Sequence, residues 1–139
     1  MTMTVTSAYA TIPAALRASV VRRMVVEEGF EDQQLAERSV TELEKFLSFC
    51  AAKPGQRYTP SHLVDEAWHA LIAHTQGYRE LCAYLTHGGF IDHTPPRSSE
   101  EAHLLIANFP KTAEAMTAGG YDIDPALWAE ASHSSCGCV

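Results

Sequence analysis

No stretch of this sequence approaches the roughly 18 to 20 consecutive apolar residues that a helix needs to span a bilayer, so a transmembrane helix is not expected. Basic charge is scarce too. Against 17 acidic residues stand 10 Lys and Arg, for a formal net charge of −7, and such a field repels phosphate backbones and anionic headgroups. Neither nucleic acid nor a membrane surface is an expected partner. The first thirty residues lack a basic stretch followed by an apolar block, so they do not read as a secretory signal, and the expected setting is the cytoplasm. Cysteine is limited to Cys50, Cys82, Cys136 and Cys138, whose spacing is not that of a disulfide scaffold. Reduced thiols follow. Also missing are a zinc-protease helix pair, a phosphate loop, a dinucleotide fingerprint, a nucleophile elbow and any internal repeat, which disfavours an ordinary hydrolase, kinase or dehydrogenase.

What is present is a globular composition, 46% apolar and 19% charged over 139 residues, enough for one domain with a real core. The apolar period is helical nearly throughout, and the expected class is all-α: a compact bundle of about three long and two to three short helices. Residues 12–131 form the domain, between a loose arm over 1–11 and a mobile tail over 132–139. Ile12, Leu16, Val20 and Met24 mark a first helix that stops at Gly29. Leu35, Val40, Leu43, Phe46, Leu47 and Cys50 mark a second, stopped by Lys53-Pro54-Gly55. Thr59-Pro60 opens a third, read as the longest element, running to His87-Gly88-Gly89 with Val64, Trp68, Leu71, Ile72, Thr75, Tyr78, Cys82 and Leu85 on its core face. A proline-terminated connector through Phe90 to Pro96 follows. Ser98 to Glu101 reads as a capping box for a short fourth helix, Pro110 as the opening of a fifth ending at Gly119-Gly120, and Asp124-Pro125 as the start of a last short one.

The residues Pro60-Ser61, Val64-Asp65, Trp68-His69, Ile72, His74-Thr75, Tyr78, Cys82, Gly89-Phe90-Ile91, His93 and Pro95 resemble the bacterial glycine-rich domain-containing proteins, relatives of the plant glycine-rich-domain proteins. The resemblance extends over roughly Ile12 to Pro95. Leu71 stands where some members carry a second histidine, and the long Gly/Cys-rich tail of many members is reduced to Cys136-Gly137-Cys138. That family has no settled activity, so the resemblance implies a fold and a ranking of sites rather than a reaction.

Three constellations carry chemistry. Asp65 and His69, four apart on one helix, with His93 from the connector and His62 one further turn away, have the donor types of a zinc or iron site. The plain alternative is that they pair with one another or with backbone to brace the turn. Cys82, with His69, His74 or His93 as base, has the residue types of a thiol nucleophile, yet its place on the apolar stripe reads more simply as packing, as does that of Cys50. His133-x-x-Cys136-x-Cys138 sets three soft ligands within six residues, suited to Zn or Cu(I) or to dithiol cycling, or else it is a remnant without a role or a flexible segment that another protein recognises or modifies. Trp68 and Tyr78 read as core anchors whose polar tips find partners, and His74 as a surface histidine. The leading expectation is a small helical metal-binding or protein-interaction module, with metal candidates His69, Asp65, His93, His133, Cys136 and Cys138. A small thiol-dependent enzyme or accessory factor using His69 and Cys82, or the tail cysteines, is the alternative.

Overall fold

A computed structural model describes residues 7–129 together with the pair Gly137–Cys138. Its elements in chain order are α1 (Ala14–Glu27), α2 (Gln33–Ala51), α3 (His62–Ile72), α4 (Thr75–Thr86), β1 (His93–Thr94), α5 (Ser99–Ala118) and β2 (Gly137–Cys138). The fold is all-α, with the two short strands as its sole sheet among the described residues. No described helix is long and apolar enough to cross a membrane.

Side-chain caps start three of the helices: Asp32 accepts from the Gln34 amide, Ser61 from Val64 and Ser98 from Glu101. Each satisfies a donor the helix cannot, and loss of such a cap costs about 1 kcal/mol. The core lies where α1, α2 and α3 meet. Val20, Met24, Leu43, Phe46, Leu47, Trp68 and Leu71 are all fully buried there, and Phe46 meets the Trp68 ring edge-on at 5.7 Å. Carboxylates of α2 brought into this interior are paired, as burial favours. Arg17 of α1 reaches Glu37 and the buried Glu44 of α2, and Glu44 also accepts from the Ile12 amide. Glu42 of α2 accepts from Lys45, the Asp124 amide and the Trp128 indole, which fastens residues 124–128 over the bundle.

The long third helix is in fact two. A break at Ala73-His74 separates α3 from α4, and His74 itself supplies the cause. Its backbone, at φ −91° and ψ 69°, leaves the helical region, and its amide donates to Leu71 rather than to Ala70. The Ala70 carbonyl instead meets the His74 imidazole Nδ1 at 2.8 Å, while Nε2 lies 2.7 Å from Ser19 Oγ of α1. A side chain has replaced the backbone as partner of its own helix. His74 is therefore a half-buried latch rather than a surface residue. The break also divides the apolar stripe: Val64, Trp68 and Leu71 are buried in α3, Tyr78 and Cys82 in α4, and Thr75 between them is exposed.

The expected fourth and fifth helices are one. α5 runs 20 residues with Pro110 inside it. Leu105, Phe109, Thr112 and Met116 form one continuous buried stripe through the proline, and this packing outweighs the hydrogen bond that Pro110 cannot make. Thr59 ties the helix to the bundle from the buried side, donating from Oγ1 to the Leu105 carbonyl and from its amide to Thr112 Oγ1. Residues 125–128 form a turn and not a last helix. Of the segment expected as an arm, Ser7 bonds to Gly119 and Gly120, and the Ala10 amide donates to Ser48.

Candidate metal centre

The site is built by bringing a helix and the connector together. Asp65 and His69 stand one turn apart on α3. To reach them, the chain must turn back after α4, and it does so through His87 and Gly88, both at positive φ, 56° and 99°. The first is unusual for a non-glycine residue, and the second is where glycine is the natural occupant. The Gly88 amide closes the turn on the Ala83 carbonyl.

A buried relay then fixes the connector. The Trp68 indole Nε1 donates to Tyr78 Oη at 3.0 Å, and the Tyr78 hydroxyl donates to the Ile91 carbonyl. Ile91 itself is buried. Two residues on, the His93 ring stands edge-on to Trp68 with centroids 4.5 Å apart and to His69 at 4.7 Å. Both anchor tips find partners, as the sequence leads one to expect, and through them the α3–α4 stripe positions His93.

Asp65, His69 and His93 converge to form a triad able to hold a metal ion. His93 Nε2 lies 2.8 Å from Asp65 Oδ1 and 3.1 Å from His69 Nε2, and His69 Nε2 lies 3.4 Å from Asp65 Oδ2. The two separations to Asp65 run to different carboxylate oxygens, and one ligand atom from each of the three residues lies within 4.8 Å of the others, against edges of about 3.3 Å for a tetrahedron with metal–ligand bonds of about 2.0–2.1 Å. The two contacts of His93 Nε2 are at hydrogen-bond distance, and that of His69 Nε2 with Asp65 is an ion-pair contact. Asp65 and His93 are largely enclosed, with side-chain exposures of 5% and 11%, and His69, at 40%, opens the site to solvent.

The surroundings are acidic. Glu66 Oε1 lies 3.9 Å from His69 Nδ1, too far for a hydrogen bond. Burial pushes the Glu28 carboxyl above its ordinary value, with Glu66 reinforcing the rise and His69 opposing it. Neither Glu28 nor Glu66 was among the sequence candidates. Glu66 was legible as the residue three before His69 on the same helix, while Glu28, at the end of α1, becomes a neighbour only through the packing of α1 on α3.

The other candidates separate from this triad. His62 is exposed and borders a cleft with Glu28, Phe30, Asp32 and Leu35. His74 serves the helix break. Cys82 is fully buried; burial pushes its thiol above the ordinary value, and hydrogen bonding to the Ile91 backbone and Tyr78 only partly offsets this. Such a thiol is held protonated, contrary to what a nucleophile needs. Cys50 is buried as well. His133 and Cys136 lie outside the described residues. Cys138 lies within them by its backbone, paired antiparallel with His93, while Gly137 pairs with Thr94.

No curated protein and no solved structure matches the chain. The likeness to glycine-rich domain proteins is corrected by the family comparison, in which nothing indicates a glycine-rich domain. The residues that suggested it, Trp68, Tyr78 and Cys82 above all, are buried packing positions, and packing residues report a helical arrangement rather than a family. The family model that does match is UCP032817-like, an uncharacterised family, and it matches residues 10–103, about two-thirds of the chain and including all three triad residues. The chain belongs to the UCP032817-like family.

Proposed function

We propose that this protein is a small helical metal-binding module that holds a divalent transition ion, zinc first, on Asp65, His69 and His93. The observation that carries the reading is the convergence of two imidazole Nε2 atoms and one carboxylate at separations of 2.8 to 3.4 Å. Of the metals suggested by the sequence, zinc or iron for this triad and Zn or Cu(I) for the tail, the donor set disfavours Cu(I), because a carboxylate is a hard ligand and copper(I) prefers soft ones. Asp65 and His69 would hold the ion from the rigid helix and His93 from the connector, with Trp68 and Glu66 as outer neighbours that orient the two rings. A cytoplasmic setting belongs to the same reading, since the ligands need no oxidising compartment. Among the described residues nothing comparable favours thiol transfer.

The experiment compares thermal unfolding of the tag-free protein and of His69→Ala, each with and without zinc. An ion at 100 times its dissociation constant stabilises the native state by about 2.7 kcal/mol. The expected result is that the two apo proteins melt alike within a few degrees, because His69 is substantially exposed, and that zinc raises the melting temperature of the wild type alone. Equal responses to zinc in both proteins, or none in either, refute the metal site and leave the triad as a brace.

A further inference from the structure

α1 runs close against the start of α4: a Cβ built on Gly77, in the first turn of α4, would stand 2.7 Å from Leu16 Cδ2. One turn further along α1 is Ser19, exposed, with its Oγ 2.7 Å from His74 Nε2. The other ring nitrogen of His74, Nδ1, lies 2.8 Å from the Ala70 carbonyl. A carbonyl can only accept, so Nδ1 carries the hydrogen. In the neutral ring Nε2 is then the bare nitrogen, and the Ser19 hydroxyl donates to it. We propose that Ser19 and His74 are a nucleophile and its general base, and that they transfer acyl groups from small activated esters to water. The pair is independent of the metal centre, with which it shares no residue.

A serine hydroxyl is a weak nucleophile and needs a base at about 2.6–3.2 Å that is itself oriented by a third group. Here the third group is a backbone carbonyl, which fixes the tautomer as a carboxylate would but lends no charge to the imidazolium. The two bonds that break the helix at His74 are thus the two that set its ring for this task. Beside the pair, α4 begins without a side-chain cap, so the amides of its first turn have no partner within the helix. Such amides favour the negative charge that an ester oxygen acquires under attack. The members of the pair are 55 residues apart on two helices, so no short motif announces them. In the first step the Ser19 proton passes to Nε2 as Oγ bonds to the acyl carbon, and the leaving alcohol takes that proton as its own bond to the acyl carbon breaks. In the second, water gives a proton to Nε2 and bonds to the acyl carbon, the acyl–Oγ bond breaks, Oγ recovers the proton and a carboxylic acid departs. Water is the sole co-reactant.

The full-length, tag-free protein is kept in EDTA, so that no metal-held hydroxide contributes. It is treated with a fluorophosphonate, which leaves a stable phosphonyl group on an activated serine as fluoride departs, and separately with p-nitrophenyl acetate. Ser19→Ala and His74→Gln are run beside it. Ser19 is exposed, so its variant should fold, and glutamine offers a donor for Ala70 and an acceptor for Ser19 but no basic nitrogen; His74→Asn takes its place should it not fold. The expected result is one phosphonyl group, mapped to Ser19, that forms at least about 100-fold more slowly without the imidazole, the lower end of what a positioned base contributes. Ester turnover should exceed that of Ser19→Ala. No adduct at Ser19 overturns the pair and leaves His74 as a latch. A smaller loss of rate in the folded His74 variant overturns the role of the base. An adduct without turnover above Ser19→Ala reveals a serine that does not pass its acyl group to water, and overturns the activity.

Discussion

Replacing Tyr78 by Phe removes one oxygen atom from the middle of the relay that sets His93. The hydroxyl accepts from Trp68 Nε1 and donates to the Ile91 carbonyl, in a place where Tyr78 is 3% exposed and Trp68 is fully buried. Without it, two buried polar groups lose their partner, at about 1–3 kcal/mol apiece. Together these come to about 2–6 kcal/mol, and since the ring itself still fits and adds no cavity, the expected loss lies in the lower part, about 2–4 kcal/mol. For a chain of this length, 1 kcal/mol moves the melting temperature by about 4 °C, so the apo protein should melt about 8–16 °C lower while its far-ultraviolet circular dichroism at 20 °C is unchanged. The second effect is on the site. Ile91 lies two residues before His93, so a loosened connector should weaken zinc binding by about 10- to 100-fold, read by competition with a chromogenic chelator. His69→Ala is the opposite case, abolishing zinc binding at little cost to apo stability. A Tyr78→Phe protein that melts within about 2 °C of the wild type refutes the relay. One that is destabilised as expected but binds zinc with wild-type affinity shows that the relay serves the core and not His93.

Pro110→Ala should raise stability by up to about 3 kcal/mol in urea unfolding, because an exposed proline interrupts a continuous helix; if Pro110 instead opened a helix, the change would be neutral or unfavourable. Arg17→Met should cost about 3 kcal/mol at pH 8 by leaving the enclosed Glu44 carboxylate with the Ile12 amide as its main remaining partner. Burial already raises the Glu44 carboxyl, against the Ile12 amide and Arg17. A carboxyl raised in the native state favours folding below its ordinary value and loses that advantage as pH rises through the raised one, so the penalty should shrink on acidification to pH 5; a penalty that grows would contradict the assignment. Cys82, buried and held protonated, should resist a disulfide reagent at pH 8 in the native Cys50→Ser/Cys136→Ser/Cys138→Ser background and react at once in denaturant. Rapid native labelling would return it to the list of reactive thiols.

The helical period of the sequence was sufficient to reveal α1, α2 and the all-α class, because amphipathic spacing and the stops at Gly29 and Pro54-Gly55 act locally. Two boundaries were not legible for the same reason in opposite senses. At His74 a local pattern that reads as continuous is broken by a side chain whose second nitrogen finds Ser19 of another helix. At Pro110 a local break is overridden by the burial of Leu105, Phe109, Thr112 and Met116. The triad was legible as residue types on one helix and one connector, but its convergence was not. Convergence depends on the Tyr78–Ile91 bond and on the reversal at His87-Gly88, and neither has a periodic signature. His62 shares the helical spacing of Asp65 and His69 but is exposed and borders a different cleft, with Glu28 and Phe30.

Asp65 and His69 precede α4, and His93 follows it, at sequence separations of 28 and 24 residues. An ion held by all three therefore closes a ring of chain around α4. That ring restricts the opened states of α4 more than those of α1 or α2, since loop closure removes entropy from any form in which the connector has come away. Amide exchange should register it as a gradient: an added ion slows exchange most within Thr75–Thr86 and least in α1, whose opening leaves the ring intact. A helix that contributes no ligand would be the one whose breathing the ion governs.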